Sequence, residues 1–105
     1  MGFVEVKRVV IVTESIIKDK VLEHIVSMGA KGYTIDTVCG KGERGVRYDD
    51  TLLGEYLRNI KIEVLTTEEI AEKIMLSVVE RFLKNYAGIV YMHDVRVVRP
   101  EKFKS

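Results

Sequence analysis

Residues 8–39 read RVVIVTESIIKDKVLEHIVSMGAKGYTIDTVC, and the change of period inside this stretch decides the fold. Residues 8–14 are dominated by valine and isoleucine, whose β-branched side chains suit a pleated surface. The run is too short for a helix that must bury itself. From residue 15 the period changes: over 15–29, Ile17, Val21, Ile25 and Met28 share one helical face. Ser15 is the expected N-cap, and Gly29 ends the pattern where a C-cap glycine sits. Residues 32–39, GYTIDTVC, then read as a second strand. Tyr33, Ile35, Thr37 and Cys39 share one face, and Thr34, Asp36 and Val38 share the other. The stretch is a βαβ unit.

A second unit follows. Ile60, Ile62 and Val64 alternate with Lys61 and Glu63 as a strand over 59–65. Thr66 with Glu69 fits a capping box, and helical periodicity runs through Ile70, Ile74, Val78 and Phe82 from about 68 to 85. Ala71, Met75, Val79 and Leu83 widen that stripe. Gly88 precedes a last strand over 89–98, and Pro100 with a charged tail ends the domain. Two βαβ units predict an α+β, ferredoxin-like subunit with one four-stranded antiparallel sheet and both helices on one face. The first and last strands carry valine and isoleucine on both alternations, so the other face is expected to be apolar and to pack against further subunits.

The 105 residues suit one domain over 1–105, and 47% hydrophobic residues can supply its core. With 17 basic and 16 acidic residues the net charge is +1, which argues against a nucleic-acid-coating protein. Cys39 is the single cysteine, so neither an intrachain disulfide nor a cysteine zinc cluster can form. His24, read as exposed, and His93 are too few for a metal site, and no acid-and-nucleophile pattern surrounds them. Signal-peptide order is missing and no apolar run is long enough to cross a bilayer, so a cytoplasmic location is expected.

Residues 40–58 have no clean period and are longer than a connection requires. Gly40, Lys41, Gly42, Glu43, Arg44, Gly45, Val46 and Arg47 open this loop directly after a strand. Its glycines let backbone amides approach an anion, and Lys41, Arg44 and Arg47 add positive charge. The Gly-Lys-Ser/Thr ending of the ATPase phosphate loop is missing. A water-facing loop explains the composition as well. Asp49 and Asp50 either hold a cation carried by a bound phosphate or are simply solvated, Cys39 reads as a small core residue, and Arg96 and Arg99 either reach a phosphate or lie on the surface. Tyr86-Ala87-Gly88-Ile89 either lets a flat ligand approach the backbone or lets helix and strand pack.

The chain resembles the PII-like signalling proteins, and within them the branch regulating inorganic-carbon transport, with its SbtB-like and carboxysome-associated members. Val10-Ile11-Val12-Thr13-Glu14, Gly29 to Thr34 running into Gly40 to Arg44, Ile62 to Thr66 and Tyr86 to Ile89 carry the resemblance over about 7–99. It implies a homotrimer with adenine nucleotides (AMP, cyclic AMP, ADP or ATP) in clefts between subunits, and bicarbonate beside ADP in some members. It also implies a T-loop over about 41–58 that signals to a partner such as a membrane transporter or a carboxysome protein, with recruitment to the membrane through it. Thr34, Gly40 and Gly42 would line the cleft, Lys41, Arg44 and Arg47 would face phosphate, and Glu63, Val64 and Leu65 would lie at the adenine side. Gly88 would close over the nucleotide and Arg99 would match a C-terminal phosphate ligand. Ile89 replaces the phosphate-binding lysine of nitrogen-sensing members, and the double-cysteine extension of some SbtB-like proteins is missing. The implied role is regulatory rather than enzymatic. The alternatives are a trimeric CutA-like structural or cation-binding protein and a weak nucleotide hydrolase.

Overall fold

The structure, a computed structural model, describes residues 2–38, 41–42, 45–46 and 58–98. β1 (Val4–Glu14) leads through a short 3-10 turn (Ser15–Ile17) into α1 (Lys18–Ser27) and β2 (Thr34–Val38). Two short strands, β3 (Lys41–Gly42) and β4 (Gly45–Val46), pair with each other. β5 (Asn59–Thr66), α2 (Glu68–Val78) and β6 (Gly88–Val97) complete the described chain. The main sheet has the order β2-β5-β1-β6 and every neighbouring pair is antiparallel, which is the ferredoxin-like arrangement. No helix among the described residues is long and apolar enough to cross a membrane.

The register sorts the side chains into two faces. Val9 pairs with Val64, and Ile11 with Ile62, placing four side chains with essentially no exposure beneath the helices. Ile17, Val21 and Ile25 descend from the first helical segment and Ala71, Ile74, Val78 and Phe82 from the second, closing the core. Glu63, Leu65, Arg8, Ile89 and Tyr91 alternate to the opposite face. There Ile89 is 58% exposed, Tyr91 42% and Leu65 40%, so the apolar face expected from the strand pattern exists and is uncovered within one chain.

Several boundaries differ from expectation. β1 begins at Val4 rather than 8, because Val4–Lys7 pair with Asp94–Val97 and these backbone bonds outweigh the charges of Glu5 and Lys7. Ser15 is not an N-cap: it opens the 3-10 turn, and neither this turn nor α1 has a side-chain cap hydrogen bond. Thr66 does not cap α2 either. It continues the inward alternation of β5 and is buried, while Thr67 accepts a hydrogen bond from the Ile70 amide at 3.4 Å. Thr67→Ala is therefore expected to cost about 1 kcal/mol, measured as a lower urea midpoint with unchanged slope. The second helix widens after residue 78, and Val79–Leu83 form a π-turn. Its extra residue per turn leaves Val79 exposed while Phe82 reaches the core. Gly29 does end α1, with φ +114°. Cys39 lies outside the described residues.

His24, expected on the surface, is half-buried between the helices. Ser77 Oγ donates to the Ile74 carbonyl at 3.2 Å, leaving its lone pair to accept from His24 Nε2 at 2.8 Å. The ring also meets Phe82 edge-on at 5.6 Å. Burial, and then the positive charge of Arg81, push the imidazole pKa below its ordinary 6.5. On acidification the unfolded chain takes up this proton before the folded one does, so stability is complete above pH 6.5 and falls as pH drops from there towards the lowered folded pKa. The thermal midpoint should fall over that window, and His24→Gln should flatten the fall.

Candidate functional site

An open groove of about 820 Å³ lies at the end of the sheet where β5 runs into α2. Its formation follows from unequal strand lengths. β2 pairs with β5 only from Thr34↔Glu63 to Val38↔Asn59, whereas β5 continues to Thr66. The stretch Val64–Thr66 therefore has no strand on its β2 side. The turn Gly29–Tyr33 stands off instead, and residues of the turn and of β5 line the gap.

Apolar walls come from Tyr33, Leu65, Ile70 and Val95, and cations from Arg8, Lys31 and Arg96. Arg96 also stacks its guanidinium over the Phe3 ring, 5.9 Å from the centroid. Glu63 sits in the wall within a charge relay that crosses three strands. Arg8 Nε and Nη2 both engage Glu63 Oε1, and Lys61 Nζ lies 3.6 Å from Oε2. On the other side Arg8 Nη1 donates to His93 Nε2 at 2.9 Å; a guanidinium has no acceptor, so the ring nitrogen accepts. The Arg8 hydrogen bond, joined by the Arg8 and Lys61 charges, holds the Glu63 carboxyl below its ordinary pKa of 4.5. The groove thus offers a flat apolar slot, a carboxylate fixed as an acceptor, and several cations.

Of the residues singled out from sequence, Thr34, Glu63 and Leu65 line this groove together. Val64 does not: the whole residue is 1% exposed and its side chain points into the core. Gly88 is elsewhere. It pairs with Thr13, whereas Thr34 is linked through Glu63 and Val10 to Tyr91. Strand spacing and rise then put about 17 Å between Thr34 and Gly88. Lys41 and Gly42 belong to the short β3–β4 ladder, and Gly40, Arg44, Arg47 and Arg99 lie outside the described residues. Arg8, Lys31 and Tyr33 are groove residues that the sequence did not single out as such. The available signal was a pair of opposite charges, Arg8 and Glu63, each interrupting an apolar strand.

The groove and the roots of the 39–57 connection lie at opposite ends of the sheet. Both Val38 and Asn59, which flank that connection, pair at the Thr13 end. Within one chain the connection's roots and the groove do not meet.

Comparison with known proteins places this architecture. A PII-like protein from Thermus thermophilus is 38% identical, with 99% of this chain and 100% of that chain covered and a TM-score of 0.83. The structure of CPII, a nitrogen regulatory PII-like protein from Thiomonas intermedia bound to ADP, AMP and bicarbonate, is 28% identical over 99% of this chain and 98% of that one, with a TM-score of 0.87. A second CPII structure, bound to ADP and bicarbonate, is 29% identical over 98% of both chains, with a TM-score of 0.83. The family model described as nitrogen regulatory protein P-II matches residues 6–102. With its fold and nearly its whole length accounted for in this way, the chain belongs to the P-II family and is a PII-like regulatory protein.

Proposed function

We propose that the chain is a sensor of adenine nucleotides that works as a homotrimer, with the nucleotide held where subunits meet. The observation that carries this reading is the separation of the two half-sites. The groove supplies an apolar slot and the fixed Glu63 carboxylate, which suit the face and the amino edge of adenine. Val38 and Asn59, which flank the connection that carries the glycines and cations, lie with Gly88 at the other end of the sheet. A second copy, packed through the open apolar face, brings its loop end to the first copy's groove and adds Lys41, Arg44 and Arg47 near the phosphates. Gly40 and Gly42 then shape the loop's base, and Arg99 adds charge from the C-terminal side. Binding at this junction biases the T-loop, about 41–58, between conformations that a protein partner distinguishes.

The ligands of CPII, ADP, AMP and bicarbonate, support the inorganic-carbon branch, with ADP or AMP as the nucleotide and bicarbonate beside it. In this reading the protein is a cytoplasmic regulator, not an enzyme, and its partner is a transporter of inorganic carbon or a carboxysome-related protein. The test is calorimetry with AMP, ADP, cyclic AMP and ATP, each with and without bicarbonate, alongside native mass spectrometry. Saturable heat from at least one nucleotide and a trimeric mass are expected. A monomer, or silence towards all four nucleotides, would remove the reading.

A further inference from the structure

A second recess, of about 280 Å³, lies at the far end of the sheet from the groove and is lined by Ser15, Lys18, Ile35, Thr37, Arg58 and Ile60. We propose that it is a separate site for a small inorganic oxyanion of phosphate size. Among the described residues the lining combines two cations and two hydroxyls with two isoleucines and contains no carboxylate. Ile35, Thr37 and Ile60 all lie on the helix side of the sheet, since Ile35 pairs with Ile62 and Thr37 with Ile60. This is the face opposite to Arg8 and Glu63. The backbone amide of Ser15 donates to the Arg58 carbonyl at 2.7 Å, which ties the start of the first helical turn to the residue that leads into β5.

Charge selects the ligand class. At about 280 Å³ the recess has room for a tetrahedral oxyanion with its waters, each of about 30 Å³. An ion seated there is flanked by the Lys18 ammonium and the Arg58 guanidinium, both of which form charge-assisted hydrogen bonds to anionic oxygen. Ser15 and Thr37 add hydroxyl donors. Thr37 lies just before the 39–57 connection and Arg58 immediately follows it. An oxyanion held by both, and by Lys18 on α1, would clasp the two roots of the loop to the helix layer. The site therefore gives the loop a second chemical input that does not depend on the groove.

The experiment is an amide NMR titration of the full chain with inorganic phosphate. Saturable shifts at Ser15, Lys18, Thr37 and Arg58 are expected, and they should persist in the presence of saturating AMP. Lys18→Gln, a change at an exposed position, should weaken phosphate binding about tenfold, the loss expected when a charge-assisted contact becomes a neutral one. Thr37→Val, close in shape, should weaken it less, and both variants should bind AMP as the parent does. Shifts that never saturate, an affinity unchanged in Lys18→Gln, or phosphate displaced by AMP would overturn the proposal. The last outcome would place phosphate in the groove instead, and the AMP measurement separates this from any failure of the nucleotide site.

Discussion

Arg8→Met is expected to weaken AMP and ADP binding by roughly thirtyfold, equivalent to about 2 kcal/mol, while the chain remains folded. Arg8 is the hinge of the charge relay in the groove wall: it engages Glu63 on one side and His93 on the other. Methionine keeps an unbranched apolar stem of similar length but removes every donor. Glu63 then retains only Lys61 at 3.6 Å, its carboxylate is no longer fixed, and the groove loses a cation. Calorimetry reads the affinity directly. A second readout follows from linkage. In the parent the Glu63 pKa lies below 4.5, so its contribution to stability is present above pH 4.5 and lost as pH falls through the lowered value. Arg8→Met returns that pKa towards 4.5 and should flatten this part of the acid limb. An unchanged nucleotide affinity would show that the groove is not the adenine half-site.

The fold was legible because the period changes are abrupt. Val9 to Val12, the 17-21-25 stripe and the 60-62-64 alternation each have one reading, and two βαβ units leave few topologies. The exact ends were less legible for local reasons. Thr66 and Thr67 are adjacent and equally good caps on paper, and only the inward alternation of β5 decides that the first belongs to the strand. Val4–Lys7 look too polar for a strand until Asp94–Val97 are placed beside them, and that pairing is a property of the sheet rather than of either segment. The π-turn at Val79–Leu83 breaks a helical stripe that the sequence carries without interruption.

The candidate site was legible in part for a related reason. Thr34, Glu63 and Leu65 were singled out, and the structure brings them together. Arg8 was not, because its importance depends on register: it lies opposite Leu65 on one strand and His93 on the other. A one-residue slip would send it to the helix face. Lys31 and Tyr33 were hidden in a turn whose role is to stand off from β5, and the gap exists only because β5 runs on past the point where β2 begins. Strand-length mismatch is a three-dimensional fact with no local signature.

Gly88→Ala is the other change with a large expected effect, and it separates two readings of one residue. The sequence allows Gly88 to be either a close approach to a nucleotide or a packing glycine. A Cβ at this position would lie 2.5 Å from the Val12 carbonyl oxygen, 2.9 Å from Leu83 Cδ2 and 3.0 Å from Thr13 Cβ. Leu83 is a side chain and can turn aside. The Val12 oxygen belongs to the β1 backbone, and moving it disturbs the ladder that joins β1 to β6 at Thr13↔Gly88. The Thr13 hydroxyl, which donates to the Ala87 carbonyl at 2.8 Å, would shift as well, and so would Glu14 Oε2, which accepts from the Ala87 amide at 2.7 Å. Overpacking of this kind costs about 1–3 kcal/mol, and in a domain of this size each kcal/mol lowers the melting temperature by about 4–8 °C. The loss should appear in the protein without ligand. Added AMP should raise the melting temperature of both proteins, and the size of each rise reports whether binding survived. A variant that melts like the parent but gains nothing from AMP would assign Gly88 to the ligand alone. A variant that melts early and still responds in full to AMP would make it a packing residue, and partial loss of both would mean that the glycine joins the two strands at the same point where a neighbouring subunit's nucleotide rests.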